Sequence, residues 1–440
     1  MSSENGPQGR GPDPSRRPVL QRVAGLAAVD LGPLRRHRDF RLLFSGRSVS
    51  EFGSEITVVA IPFQVYALTR SSLAVGLLGL FAIVPIITLA FVGGALADAR
   101  DRRRMVLLTE LALTGFALAL LANALVPHSQ LWVLYAAETG MTGLAALQRP
   151  SLAALVPRLV DRDELTAAAA LNGLYGTAGT VAGPALAGIL IATLGLPSTY
   201  GIDVLTFLVS LAALRSMRAV PPPADAARIS LESITEAVRY AWSRPDLMGT
   251  YLVDMVAMFF GMPTALFPAL AARYGGAGVL GLLYTAPSVG ALLATASSGW
   301  TSRVHRHGIA VILAAASWGA AILIFGLAPV LPLALTFLAV AGAADEISAI
   351  FRSTIWNQTI PDVLRGRLAG IELLSYSSGP TLGNIEAGAV ASKFSVEASI
   401  VSGGILCMVG VAALAVALPT FRRYDRRVHD AEMAASALTP

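Results

Sequence analysis

The chain has one cysteine, Cys407, and one lysine, Lys393, in 440 residues. A lone cysteine excludes an internal disulfide framework and a thiolate metal cluster. The lone lysine is followed by Phe394, which excludes a phosphate loop of the GxxxxGK[ST] kind and ATP hydrolysis by that route. The five histidines, His37, His128, His305, His307 and His429, all fall outside the long apolar runs, so no histidine relay or metal site can be built within them. No constellation for enzyme chemistry is present and no cofactor is called for. Charge is scarce as well. Only 14% of residues are Asp, Glu, Lys or Arg against 55% hydrophobic, with a mean hydropathy of +0.64, which excludes an ordinary soluble protein of this size.

What is present is a succession of apolar runs of bilayer-crossing length, about 20 residues each. Turn and charge punctuation divides them into spans at 42–67, 72–97, 105–126, 130–156, 165–195, 198–217, 246–272, 276–301, 308–327, 330–356, 367–392 and 395–418. The fold class predicted is an all-α membrane protein with twelve transmembrane helices in two pseudo-symmetric six-helix bundles. Its parts would be an N-terminal tail over 1–38, bundles over 39–217 and 246–418, a linker over 218–245 and a C-terminal tail over 419–440. Twenty-seven of the 33 basic residues fall in the tails and alternate loops if both termini are cytoplasmic. The same asymmetry explains a pI near 9.6 without nucleic acid. Residues 1–17 lack the apolar core of a signal peptide and read as a disordered tail. In the linker, Leu231, Ile234, Val238 and Trp242 at helical spacing read as an amphipathic helix on the membrane surface.

Two of these runs are separated by Gly94-Ala95-Leu96-Ala97-Asp98-Ala99-Arg100-Asp101-Arg102-Arg103-Arg104, which places six charges in the seven residues 98–104. A glycine, an acid four residues on and a basic cluster between spanning helices resemble the cytoplasmic loop signature of the major facilitator superfamily. Gly94, Leu96, Asp98, Arg102 and Arg103 match that pattern, whereas Ala99 and Asp101 depart from it. Asp101 agrees, however, with the branch of bacterial enterobactin exporters and their drug-efflux relatives, which segments 267–271 (FPALA) and 280–286 (LGLLYTA) also resemble. The resemblance implies secondary transport by alternating access, with Asp98 latching the halves on the inside against the start of the eleventh span near 367–370. The fifth span carries Gly176, Gly179, Gly183-Pro184 and Gly188, similar to the glycine-proline motif of proton antiporters, and Gly379-Pro380, Gly383 and Gly388 repeat it in the eleventh. Further repeats, Gly94 with Gly299 and Val156-Pro157 with Ile360-Pro361, lie 205 and 204 residues apart, as internal duplication requires.

Acids inside a bilayer are costly and mark ion or substrate paths. Glu51 and Glu55 lie one turn apart in the first span, and Arg47 is one turn before them, so Arg47 can pair with Glu51 and leave Glu55 freer. Glu138, Asp254, Asp345 and Glu346 lie in the fourth, seventh and tenth spans, and Glu372 and Glu386 in the eleventh. The resemblance puts the first, fourth, seventh and tenth spans around a central cavity, which ranks Glu55, Glu138, Asp254 and Asp345 above the eleventh-span pair. The expectation is a monomeric, proton-coupled exporter in a bacterial plasma membrane, driven by the proton gradient. Its substrate is a siderophore first, a multidrug or macrolide amphiphile second; a non-transporting receptor or scaffold is the reading from another class.

Overall fold

The computed structural model describes residues 30–99, 101–220 and 239–427, without the side chains of 90–99, 362, 363, 365–367, 369–371, 373 and 374. The described residues form helices and turns, with no strand. The long helices are α1 Arg38–Thr69, α2 Ser72–Ala99, α3 Arg102–Leu125, α4 Leu131–Leu155, α5 Leu165–Arg215, α6 Pro245–Gly261, α7 Phe267–Tyr274, α8 Ala277–Ala296, α9 His307–Leu327, α10 Leu331–Thr359, α11 Asp362–Lys393 and α12 Val396–Ala417. Among the described residues, nine stretches are long and apolar enough to cross a membrane. Adding α4 and α11, and dividing α5 at its non-helical Gly195 (φ 76°), accords with twelve crossings.

Local chemistry sets the ends of these helices. Asp101 is the N-cap of α3, its carboxylate accepting the Arg104 backbone N–H at 2.9 Å, and Ser395 caps α12 on Ala398 at 3.0 Å. Gly195 turns α5 back on itself through a left-handed conformation that glycine adopts without steric cost. The seventh crossing is not the continuous helix expected over 246–272. It breaks after Gly261, where Pro263 supplies no backbone donor, and resumes as α7. Asn384 of α11 satisfies the break: its Oδ1 accepts from the Thr264 hydroxyl at 2.7 Å and from the Ala265 N–H at 2.9 Å.

The helix neighbours repeat. The packing of α2 on α4 and of α3 on α4 is mirrored by α8 on α10 and α9 on α10; that of α1 on α5 is matched by α6 on α11 and α12. The two sets meet along α2 with α11 and α5 with α8. There the backbones approach closely through small residues. A methyl on Gly79 would stand 2.5 Å from the Thr381 carbonyl oxygen, one on Gly388 2.6 Å from that of Ser72, and one on Gly281 2.6 Å from that of Pro184. All three contacts lie toward the end marked by Arg70 and Lys393. Toward the other end, which carries Arg102–Arg104, Arg158 and Arg215, lies a cavity of about 570 Å³, lined by α1 to α4 of the first half and by Ser377 of α11 in the second. It reaches from Ala153, near the end of α4, inward to Ile61 and Glu138.

Candidate functional site

The wall of this cavity in the first half is built around Arg47. Its Nη2 donates to Glu51 at 2.7 Å, one turn on, and its Nη1 donates to Gln148 Oε1 at 3.2 Å and lies 3.6 Å from Glu110 Oε2. Gln148 completes the ring by donating through Nε2 to Glu110 at 2.9 Å and to Thr109 at 3.0 Å. Glu110 is fully buried, and Arg47 is the cation beside it. Glu51 faces the cavity with its charge already matched.

Glu55 differs from Glu51. It has no hydrogen-bond or ion-pair partner among the described residues, and its stem lies against the glycine-proline motif. A methyl on Gly183 would collide with the Glu55 Cβ, and one on Gly179 would stand 3.6 Å from Glu51 Cγ and 3.9 Å from Glu55 Cγ. The motif glycines of α5 therefore admit the two acids of α1 to the helix interface. In the second half, Gly379 and Gly383 stand 200 residues later and pack on α6 instead, where a methyl on Gly379 would lie 3.0 Å from Met258 Cβ and one on Gly383 2.5 Å from the Phe259 carbonyl oxygen. The geometry repeats and the acids do not.

Glu138 lines the cavity from α4 and receives only the Thr142 hydroxyl, at 3.4 Å. Asp254 forms an ion pair with Arg352, which also lies 3.6 Å from Asp345. Arg352 and Asp254 are both buried. This cation sits 204 residues after Gln148, so each half holds an arginine between two carboxylates, half-buried on α1 in one half and buried on α10 in the other. Glu346 accepts from Thr295 at 2.9 Å, away from Asp254. Glu372 and Glu386 are half-buried on α11 and have no partner among the described residues.

Two acids escaped the sequence reading. Glu110 is one; the other is Asp203, fully buried in the second arm of α5, which accepts the Thr57 hydroxyl at 2.5 Å and the Thr206 hydroxyl at 3.4 Å. Gly53 of α1 makes room for it. The Thr57 partner, four residues after Gly53 on the same helix, is a signal in hindsight only.

Arg102 and Arg103, grouped above with the gating loop, tie the first half to itself. Arg102 donates to the Ala154 carbonyl at 3.2 Å, and Arg103 to those of Leu214 and Arg215 at 2.8 and 2.7 Å, satisfying helix C-termini. Nothing is described of the side chains of 94, 98, 367, 369 and 370, and most of the linker lies outside the described residues. Its described end is held by Tyr240, which donates to the Thr359 carbonyl at 2.7 Å, while Trp242 projects outward. At the same end of the molecule His37 lies 2.6 Å from Glu164 and 3.8 Å from Asp161. These three ligand types are close enough to hold a metal ion, yet Arg36 already occupies the other Glu164 oxygen at 2.9 Å. The cluster fastens the start of α1 to the segment before α5.

Two matched helical halves with a charge-lined cavity toward their basic end are the build of a secondary transporter of the major facilitator superfamily, a multi-pass membrane protein carrying a small molecule. A bacterial homologue of the iron transporter ferroportin, solved in an inward-facing state, superposes with a TM-score of 0.66 over 86% of this chain and 98% of its own, at 16% identity. A POT family transporter in complex with 5-aminolevulinic acid does so at 0.68 over 88% and 97%, at 12% identity. The model of the transmembrane secretion effector family matches residues 28–438, and the chain belongs to that family. Among its relatives are the enterobactin exporters of Citrobacter koseri, 30% identical over 90% of this chain and 95% of theirs, and of Shigella boydii, 29% identical over the same shares. The family and these relatives are transporters, not enzymes.

Proposed function

We propose that the protein exports a siderophore across the bacterial inner membrane in exchange for protons, by alternating access between the two halves. The observation that carries this reading is the pairing of a charge-lined cavity toward the basic end with an acid, Glu55, that has no counter-charge among the described residues and is set into the glycine-proline interface beside it. The basic end is cytoplasmic by the distribution of arginine, and both termini lie on that side. The described conformation is then inward-facing, loading substrate from the cytoplasm.

Glu55 takes the proton. A carboxylate with no fixed cation among the described residues can exchange its proton with whichever side it meets as the halves rock. Glu138, also without a cation among the described residues, is the second candidate. Asp254 and Asp345 are held by Arg352 and Glu51 by Arg47, so these acids serve the fold and the cavity's shape. Asp98 closes the cytoplasmic side in the outward-facing state, where a carboxylate at a helix end can meet the N-terminus of a neighbouring helix. Siderophore cargo rests on the names of the relatives. A second reading, efflux of cationic amphiphiles, is favoured by Glu138 facing the cavity uncompensated.

Inside-out vesicles carrying the protein, supplied with candidate siderophores and cationic dyes with and without a pH gradient, test the proposal. Gradient-dependent accumulation of a siderophore is expected. Accumulation of the dyes alone would replace the siderophore with the second reading, and accumulation indifferent to the gradient would remove the proton.

A further inference from the structure

Three arginines, Arg47, Arg149 and Arg352, stand within the membrane-spanning helices away from their ends. Arg47 and Arg352 are each bracketed by two carboxylates. Arg149 has none among the described side chains. It is exposed, lines the cavity toward the end of α4 and, among the described residues, makes a single hydrogen bond, donating at 3.2 Å to the hydroxyl of Tyr376. Tyr376 belongs to α11, in the other half, and is 45% exposed. Ser377, beside it, also lines the cavity.

A guanidinium offers five N–H donors in a rigid planar fork, of which Tyr376 uses one. The remaining face is preorganised for a planar oxyanion, bound bidentately, and the neighbouring phenol adds a donor and an aromatic surface. The other charges of the cavity do not compete for it. Glu51 is held by Arg47, and Glu138 lies on the same face of α4 but eleven residues away, about 16 Å along the helix.

We infer that Arg149 and Tyr376 form an entry-side anion site that holds a carboxylate of the transported molecule between the two halves. The inference deepens the exporter reading and rests on it for the identity of the cargo. An acidic group gripped by residues of both halves is bound differently whenever the halves move apart, which is the differential affinity that lets a substrate bias the conformational equilibrium. The charges of the cavity thus divide by depth, with arginine toward the basic end for the cargo and uncompensated acids farther in for the proton.

The test uses radiolabelled 2,3-dihydroxybenzoate, an aromatic acid with carboxylate and phenolic oxygens, binding to the purified full chain in lipid nanodiscs. The uncharged 2,3-dihydroxybenzamide is the competitor. The acid should bind, and the amide should compete at least about tenfold more weakly than unlabelled acid, the factor set by one charge-assisted hydrogen bond. Arg149→Gln should weaken binding of the acid by about tenfold or more, Arg149→Lys should restore most of it, and Tyr376→Phe should lose less than Arg149→Gln. A second measurement needs no variant. Phenylglyoxal modification of each arginine, read by peptide mass mapping, should slow about fivefold at Arg149 when four-fifths of the sites hold the acid, and be unchanged by the amide. Equal competition by acid and amide, wild-type binding in Arg149→Gln, or no protection of Arg149 would each overturn the inference. Vesicles that export a siderophore while the acid and amide compete equally would keep the exporter and lose this site; acid-selective binding in a chain that exports nothing would do the reverse.

Discussion

Replacing Arg352 with methionine keeps an unbranched apolar stem and removes the only cation beside Asp254 among the described residues. Both members of that pair are buried, with side chains 7% and 5% exposed. Removing one partner of a buried ion pair costs about 3–5 kcal/mol, because the other charge is left uncompensated. At about 2.1 cal/mol/K per residue, a half of roughly 180 residues unfolding as a unit carries an unfolding entropy near 0.4 kcal/mol/K, so Arg352→Met should lower Tm by on the order of 10 °C. Asp345→Asn is the internal comparison. Asp345 lies 3.6 Å from Arg352 and is 39% exposed, which places its interaction below about 1 kcal/mol and its Tm shift within about 2–3 °C. Adding Asp254→Asn to Arg352→Met should recover much of the loss by removing the stranded charge. Scanning fluorimetry in detergent, with size-exclusion profiles as a check on folding, measures all three. A shift for Arg352→Met no larger than that for Asp345→Asn, or no recovery in the double variant, would refute the reasoning.

Gly183→Val should press α5 away from Glu55 and α1 and reduce transport more than Gly173→Val does, since nothing lies within 4 Å of a methyl at Gly173; transport rates at matched expression decide it. Asn384→Ala should destabilise by about 1–3 kcal/mol by orphaning Thr264 and the Ala265 N–H at the break in the seventh crossing, and hydrogen exchange at 261–268 should rise while exchange in α9 stays constant. Asp98→Asn should shift distance distributions between spin labels at the basic ends of the two halves toward the open form, and unchanged populations would remove the latch. A cysteine at Ser129 should react with an impermeant reagent from outside intact cells and one at Ala226 should not; the opposite pattern would invert the orientation.

The all-helical membrane architecture was legible because each span is an apolar run bounded by charge or glycine. The Arg47–Glu51 pair was legible from one turn of spacing. Contacts between helices were not. A membrane helix such as α3 is apolar on nearly every side, so its sequence does not show which face meets a neighbour, and Glu110 becomes part of a site only when α1 and α4 bring Arg47 and Gln148 to it. Asp203 was hidden for the same reason, since Thr57 and Gly53 belong to a helix nearly 150 residues earlier. The break at Pro263 was masked by apolar residues on both sides of it. The basic cluster at 102–104 signalled a membrane face but not its partners, because the carbonyls that Arg103 caps end a helix more than 100 residues away.

The central claim is that Glu55 carries the coupling proton, and Glu55→Gln tests it most directly, since the amide imitates the protonated acid with little change of shape. In inside-out vesicles with an imposed pH gradient, the variant should fail to accumulate substrate against its gradient while still exchanging labelled for unlabelled substrate at a rate near wild type. Accumulation by Glu55→Gln with the wild-type dependence on the pH gradient would contradict the account and send the proton by another path.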